Sequence, residues 1–328
     1  MSLKNKIFLC FLVFSCVAKA QQNNLESAIK YYNEEKYSVA QSLFDDVVSE
    51  QAMYYSAACS KMLFAEDAKY KFRLFLEKYN YSQYCSKANL ALAEIYYREQ
   101  DFNKTVAYYL KVNNHDLDNE HTFKLAYSYF MLDFFNEATY YFSKLLHKES
   151  KYASTAQYYF AHISYQQGFY KRALIGFNKL RADEKFSGIV PYYIAQIYSY
   201  QKEYKQLISY SSSILDKVIS SRKAEVNRLV ADAYFQLENY KQTITYFEIY
   251  FKHAAQLNAI DYAQLGYAYY NVLDDMNAIK FLEQTNNAGD SLEQFVAYYL
   301  AGSYLHLIQK NYALNAFKKA AQYENNAK

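Results

Sequence analysis

The sequence predicts an all-α chain assembled from about nine antiparallel helix pairs. Three observations carry this. Gly occurs 6 times, Pro once and Trp never in 328 residues, while 20% of the residues are aromatic. The many turns of an all-β fold need Gly and Pro, and a disordered chain is poor in aromatics. Next, the skeleton of FFNEATYYFSKLLHK, Phe134 to Lys148, returns 35 residues later in FYKRALIGFNKLRA, Phe169 to Ala182. Last, the matched positions fall at 0, +4 and +7, which is one face of a helix.

In chain order, the first element is a leader. Lys4 and Lys6 precede an apolar run from Ile7 to Val17, and Ala18-Lys19-Ala20 supplies a small-x-small cleavage site before Gln21. The run is too short to span a bilayer, which takes about 20 residues. Residues 1–20 are therefore expected to be removed on export. Val13-Phe14-Ser15-Cys16 offers an alternative, lipidation at Cys16, and membrane attachment is expected only in that case. The formal net charge of +3 resides in Lys4, Lys6 and Lys19, so the remaining 33 basic residues balance 33 acidic ones. A neutral mature chain gives no electrostatic footprint for nucleic acid or a membrane surface.

The repeats follow. Their anchors are Ala40, Ala68, Thr105, Ala138, Ala173, Leu207, Thr243, Ala278 and Ala313, at spacings of 28, 37, 33, 35, 34, 36, 35 and 35. Most anchors carry a large apolar residue at +4, such as Phe44, Phe72, Tyr109, Phe142, Phe177 and Phe247. Ser211 and Thr285 weaken the pattern in the sixth and eighth units, and the second unit, about 50–80, is short. Upstream of most anchors lies a second set, including Leu92-Ala93-x-x-Tyr96, Leu125-Ala126-x-x-Tyr129, Ile194-Ala195-x-x-Tyr198 and Leu265-Gly266-x-x-Tyr269. A small residue in an apolar stripe marks where another backbone must come close. Short polar links such as Gln167-Gly168 and Gln201-Lys202-Glu203 join the two sets. Each unit reads as helix, tight turn, helix, and neither helix hides its stripe except against neighbouring units. Pro191 sits where a first helical turn tolerates it.

The pattern hydrophobic-small-x-x-Tyr, an aromatic before the second helix, then Ala-x-x-x-Phe resembles the tetratricopeptide repeat family over residues 24–323. The first-helix Trp and closing Pro common in that family are missing, and the small residue is Gly only at Gly266. The resemblance implies a right-handed superhelical solenoid whose first helices line a concave groove. Mapped onto this chain, the groove positions are Tyr97, Tyr127, Phe130, Tyr158, His162, Tyr165, Tyr192, Phe235, Tyr267, Tyr270 and Tyr298. Tyr combines apolar area with a hydroxyl at low entropic cost, which suits peptide recognition. Residues 324–328 are expected to fray. With so little chain after Ala320, the sequence also suggests either a longer protein or a last helix that docks on a partner.

Little points to chemistry. No Gly-rich phosphate loop, H-E-x-x-H or C-x-x-C can be drawn. Asn113 to His121, NNHDLDNEH, could ligate a metal, but its place between units reads as a solvated linker. Asp45-Asp46 and Asp274-Asp275 lie in a helix and at a turn and do not read as catalytic carboxylates. Cys59 and Cys85 read as two small side chains whose pairing stays open. The expectation is a non-enzymatic scaffold without cofactor or metal, exported from a bacterium to the periplasm or outer membrane. It binds a protein or peptide partner, with no nucleic acid and no transmembrane segment. The rival readings are glycan capture on Tyr platforms, and an accessory array of a longer envelope protein.

Overall fold

The computed structural model describes residue 19 and residues 21–216, 218–285 and 290–323. Apart from Lys19 and Gln21, the expected leader with its cleavage site at Ala20 and its alternative Cys16 lies outside the described residues, as do residues 324–328. Two compact units divide the chain, Met1–Phe160 and Ala161–Lys328. The first holds α1 (21–33), α2 (Tyr37–Asp45), α3 (Glu50–Met62), α4 (Ala68–Lys78), α5 (Cys85–Arg98), α6 (Phe102–Tyr109), α7 (Asn119–Met131) and α8 (Phe135–Ser143). Helix α9 (Ala153–Gln166) begins in the first unit and ends in the second. The second continues with α10 (Tyr170–Asn178), α11 (Val190–Tyr200), α12 (Tyr204–Ser212), α13 (Ser220–Gln236) and α14 (Tyr240–His253). It ends with α15 (Ala259–Asn271), α16 (Asp275–Leu282), α17 (Asp290–His306) and α18 (Lys310–Ala320). Among the described residues the regular structure is all helical. It forms nine consecutive pairs, odd helix with even.

One device closes every pair. Each odd helix ends on a residue with left-handed backbone: Glu35, Phe64, Gln100, Asp133, Gly168, Lys202, Glu238, Leu273 and Ile308. There the chain doubles back through two hydrogen bonds. In the third pair, Gln100 N donates to the Tyr97 carbonyl and Asp101 N to the Tyr96 carbonyl, both at 3.0 Å. In the ninth, Ile308 N donates to Leu305 and Gln309 N to Tyr304, at 2.9 and 2.8 Å. This is the Schellman closure, which satisfies carbonyls that a helix end leaves orphaned. Only Gly168 adopts the conformation without a Cβ penalty. Several helices then start on side-chain caps. Asp101 accepts from Lys104 N, Asp274 from Asn277 N, and Asn258 and Asp261 form a reciprocal capping box at α15. Pro191 sits in the first turn of α11, as expected.

The stripes pack as the periodicity requires. All nine anchors are buried, and so are Phe44, Phe72, Tyr109, Phe142, Phe177 and Phe247 at +4. Ser211 at +4 and Thr285 at +7, polar where the stripe is otherwise apolar, are buried as well. Their hydroxyls donate back to the Ile208 and Leu282 carbonyls, so neither enters the core unsatisfied. A second ladder joins the two helices of a pair through rings. Tyr96 stacks on Tyr108, Tyr129 on Tyr141, Tyr234 on Tyr246 and Tyr269 on Phe281, with centroids 5.4 to 5.7 Å apart. Much of the tyrosine content is thus spent inside seams. Odd helices also touch the next odd helix: α3 packs on α5, α11 on α13, α13 on α15 and α15 on α17. Where they touch, the odd helices form one layer of the array, here called the inner layer, and their remaining side chains make its face.

Candidate functional site

The eleven groove residues assemble into three clusters, one in the first unit and two in the second. In the first unit Tyr97 and Tyr127 meet at 6.2 Å, Tyr127 meets Phe130 at 6.2 Å, and Phe102 closes on both tyrosines. Tyr159 gathers them: its ring is 5.4 Å from Tyr127, 4.9 Å from Phe130 and 5.4 Å from Tyr158. In the second unit Tyr193 does the same for His162, Tyr165 and Tyr192, at 5.4, 5.4 and 5.7 Å. The third cluster forms around Tyr299, which lies 4.6 Å from Tyr267, 5.1 Å from Tyr270 and 5.2 Å from Tyr298. Phe235 joins it through Tyr267 at 5.7 Å.

Sequence reasoning missed these three hubs. All of them stand two residues before the small residue of their helix, at Ala161, Ala195 and Ala301. That spacing was the available signal. The position points between the inner face and the seam, so a ring there contacts both. Tyr159 stacks on Phe142 and Tyr193 on Phe177, the core residues of the preceding pairs.

Exposure sorts the set. Tyr298 is open at 55%, and Tyr200, which the groove mapping did not include, is open at 58%. Tyr192 is only 8% exposed, although it was placed on the groove wall. The Arg222 guanidinium covers its ring at 4.7 Å, and Gln196 Nε2 donates to its hydroxyl at 2.8 Å. Gln196 Oε1 in turn accepts from the Tyr165 hydroxyl at 3.0 Å. One polar chain thus runs from α9 across α11 to α13. A second link crosses from α15 to α13, where Gln264 Nε2 donates to Asp232 Oδ1 at 3.0 Å. Burial, and then the neighbouring Tyr200 hydroxyl, push the Tyr165 phenol well above its usual range. Tyr165 therefore acts as a hydrogen-bond donor throughout the physiological range.

The odd helices of the first unit also carry an ionic cluster. Glu94 of α5 receives Lys61 from α3, His121 from α7 at 3.2 Å and Lys124 at 3.9 Å. Burial alone would raise the Glu94 carboxyl. The hydrogen bond from His121 and the two lysines override it and hold it down at about 2. The acidic segment Asn113–His121 is absorbed into the same region. Asp116 accepts from Ser86, Asp118 caps α7 at His121 N, and Glu120 pairs with Lys124 at 2.6 Å. These carboxylates cap and pair helices. Among the described residues no group of three or more His, Cys, Asp or Glu is placed to hold a metal. Asp274 likewise caps α16, and Asp45 accepts from Ser56 at 2.5 Å.

Cys59 and Cys85 are both free thiols. Cys59 is buried, and desolvation followed by the charge of Asp45 pushes it up to about 11, so it stays a protonated packing residue. Among the described residues no helix is long and apolar enough to cross a membrane.

No protein-family model and no curated protein matches the sequence. Solved structures do. The C-terminal part of a TPR repeat-containing protein from Cytophaga hutchinsonii superposes on 72% of this chain and 95% of its own, at 15% identity and a TM-score of 0.52. A tetratricopeptide repeat protein from Parabacteroides merdae covers 85% of this chain and 98% of its own, at 13% identity and a TM-score of 0.41. The TPR domain of P58(IPK) covers 94% of both chains at 13% identity and a TM-score of 0.30. The first of these likenesses, added to nine in-phase helix pairs each closed by the same turn, establishes that the chain has the tetratricopeptide-repeat fold.

Proposed function

We propose that the protein is a non-enzymatic scaffold of the bacterial cell envelope that holds a partner polypeptide against the inner faces of its helix-pair arrays. The observation that carries this reading is the inner face of the second unit. There Tyr200 and Tyr298 stand open while Tyr165, Gln196, Tyr192 and Arg222 are tied into one polar chain. Rigid rings and pre-positioned amide, hydroxyl and guanidinium groups lose little freedom when an extended peptide arrives. The charge-balanced mature chain supports a neutral or mixed partner rather than a polyanion. The leader pattern in residues 1–20 supports export, and the mature N-terminus, Gln21 or a lipidated Cys16, is read by mass spectrometry of the native protein.

The binding test uses a photo-crosslinking amino acid placed singly at four exposed tyrosines of the full chain in its native cell. Tyr200 and Tyr298 lie on odd helices, whereas Tyr70 and Tyr140 lie on even helices and are equally exposed. Adducts with one discrete protein from Tyr200 and Tyr298, absent from Tyr70 and Tyr140, are expected. Adducts only from the even-helix positions, or none anywhere, overturn the proposal.

A further inference from the structure

The second and fourth helix pairs, both in the first unit, can be laid over each other through three shared marks. These are the left-handed turn residues Phe64 and Asp133, the anchors Ala68 and Ala138, and the small residues Ala93 and Ala161 of the helices that follow. After the fourth pair, α9 supplies Tyr159, whose ring is held by five others. Phe123 lies 6.3 Å away, Tyr127 5.4 Å, Phe130 4.9 Å, Phe142 5.4 Å and Tyr158 5.4 Å. Tyr159 lies flat on Phe142, while Phe123 meets Phe142 tilted at 59°. The second pair keeps this frame. Tyr54, the counterpart of Phe123, meets Phe72 at 6.2 Å and a tilt of 60°. Tyr84 stacks on Tyr54 at 4.7 Å, as Tyr152 stacks on Phe123 at 5.3 Å.

The ring that the frame holds is missing from the second pair, because the counterpart of Tyr159 is Ala91. Among the described residues no ring lies flat on Phe72, whereas Phe44 carries Tyr55 and Phe177 carries Tyr193 in that way, with planes 15° and 10° apart. A cavity of about 290 Å³ opens at the place, bounded by Ala91 and by Tyr54, Ala58, Lys61, Phe72 and Leu90. In chain order those last five are the counterparts of the five rings that hold Tyr159. Tyr32 of α1 also reaches the wall, but its ring is engaged by Tyr37 and Tyr55, at 5.5 and 5.0 Å. An apolar cavity of ~150 Å³ already takes up benzene, and drug-sized ligands need roughly 300–1,000 Å³, so the space suits a single ring. Tyr54, Ala58 and Lys61 stand three before, one after and four after Ala57, the same spacing as the groove residues, and α3 packs on α5. The cavity therefore opens on the inner face, beside the ion pair of Lys61 and Glu94.

We propose that this cavity receives one aromatic side chain, Phe or Tyr, of the polypeptide held on the inner face. The ring stands over Phe72 and against Tyr54, in the place that Tyr159 fills two pairs later. The class of occupant comes from the molecule itself, because the same frame encloses a phenol ring in the fourth pair. That the ring is carried on a polypeptide rests on the reading of the inner faces given under the proposed function.

The test is calorimetric titration of the purified full chain with N-acetyl-phenylalanine amide, N-acetyl-tyrosine amide and phenol. N-acetyl-cyclohexylalanine amide serves as the non-aromatic control. Saturable binding of at least one capped aromatic residue is expected, with the control at least about tenfold weaker. Ala91→Tyr restores the missing ring and should raise the melting temperature while weakening this binding by about tenfold or more. Ala58→Tyr narrows the same space from α3 and should weaken it likewise, with circular dichroism verifying that both variants fold. No partner is present in these titrations, whereas the reading of the inner faces is tested by crosslinking at Tyr200 and Tyr298, so either can fail while the other stands. The proposal is overturned if neither capped residue binds the wild type, if phenol alone binds, or if binding survives undiminished in a folded Ala91→Tyr or Ala58→Tyr chain.

Discussion

Tyr193 lies flat on Phe177, with ring centroids 5.2 Å apart and planes 10° from parallel. The contact joins an inner-layer ring of α11 to the fully buried +4 residue of α10, one helix pair earlier. Tyr159 and Phe142 repeat the arrangement in the first unit, at 5.4 Å and 10°. The aromatic clusters of the inner face are therefore extensions of the core, and their geometry is set by packing between consecutive pairs.

Truncating such a hub removes core and face together. Tyr193→Ala is expected to cost about 3–4 kcal/mol, since it deletes a large ring wedged between Phe177, His162 and Tyr165. Tyr193→Phe keeps the stack and should cost less than about 1.5 kcal/mol. Urea unfolding of both variants checks this. Equal losses would place the stabilisation in the hydroxyl rather than in the ring.

The left-handed turn residues should be improvable. Ile308 has φ of 63° and is 78% exposed, so a β-branched side chain pays for a strained backbone and packs little in return. Ile308→Gly is expected to stabilise the chain by about 1 kcal/mol. Leu273→Gly, at the same turn one repeat earlier, should behave alike. Gly168→Ala, at φ of 76° with open space around the added Cβ, should destabilise by about 1 kcal/mol through backbone strain alone. Thermal melts of the three variants decide it. A lower melting temperature for Ile308→Gly would mean that the isoleucine side chain contributes more than its conformation costs.

Acid should attack the first unit through Glu94. Its carboxyl is held at about 2 in the folded chain against an ordinary value of 4.5. A depressed pKa contributes stability that is fully present above about pH 4.5 and disappears as pH falls through about 2. The contribution is about 3 kcal/mol from the size of the shift. In Glu94→Gln this component is missing at every pH, so the stability difference from wild type should shrink steadily between about pH 5 and pH 2. Denaturant midpoints measured across that window check the sign. A difference that stays constant with pH would remove the ionic account of the Lys61, His121 and Lys124 cluster.

The fold was legible in the sequence because stacking pairs forces a period, and a period survives substitution. Ala138 and Ala173, or Phe142 and Phe177, can be matched without any structure. The turns were harder to read. Left-handed residues were hidden because only Gly168 of the nine is the residue type that advertises the conformation. The candidate site was half legible. Positions such as Tyr298 follow from helical spacing, but Tyr192 is covered by Arg222, thirty residues away in sequence, and no local pattern encodes that. The hubs Tyr159, Tyr193 and Tyr299 were missed because they face neither a pure groove nor a pure seam.

Gly266 shows the same tension at a single position. Its counterparts in other pairs are Ala93, Ala126, Ala195, Ala231 and Ala301, and alanine is the better helix former by about 1 kcal/mol. A Cβ added at Gly266 would nonetheless lie 2.6 Å from Leu282 Cγ, 2.8 Å from its Cδ2 and 3.0 Å from its backbone nitrogen. The branch point and the backbone cannot both withdraw from a helix packed this closely. The overpacking cost, about 1–3 kcal/mol, should therefore exceed the gain in propensity. Gly266→Ala is expected to destabilise the chain. Gly266→Ala combined with Leu282→Ala should be less damaging than the two single effects added together, because the second change removes the side-chain part of the clash. Urea midpoints of the double-mutant cycle check this. Strict additivity would show that Leu282 yields freely and that the close approach of α15 to α16 is not what requires glycine at this position.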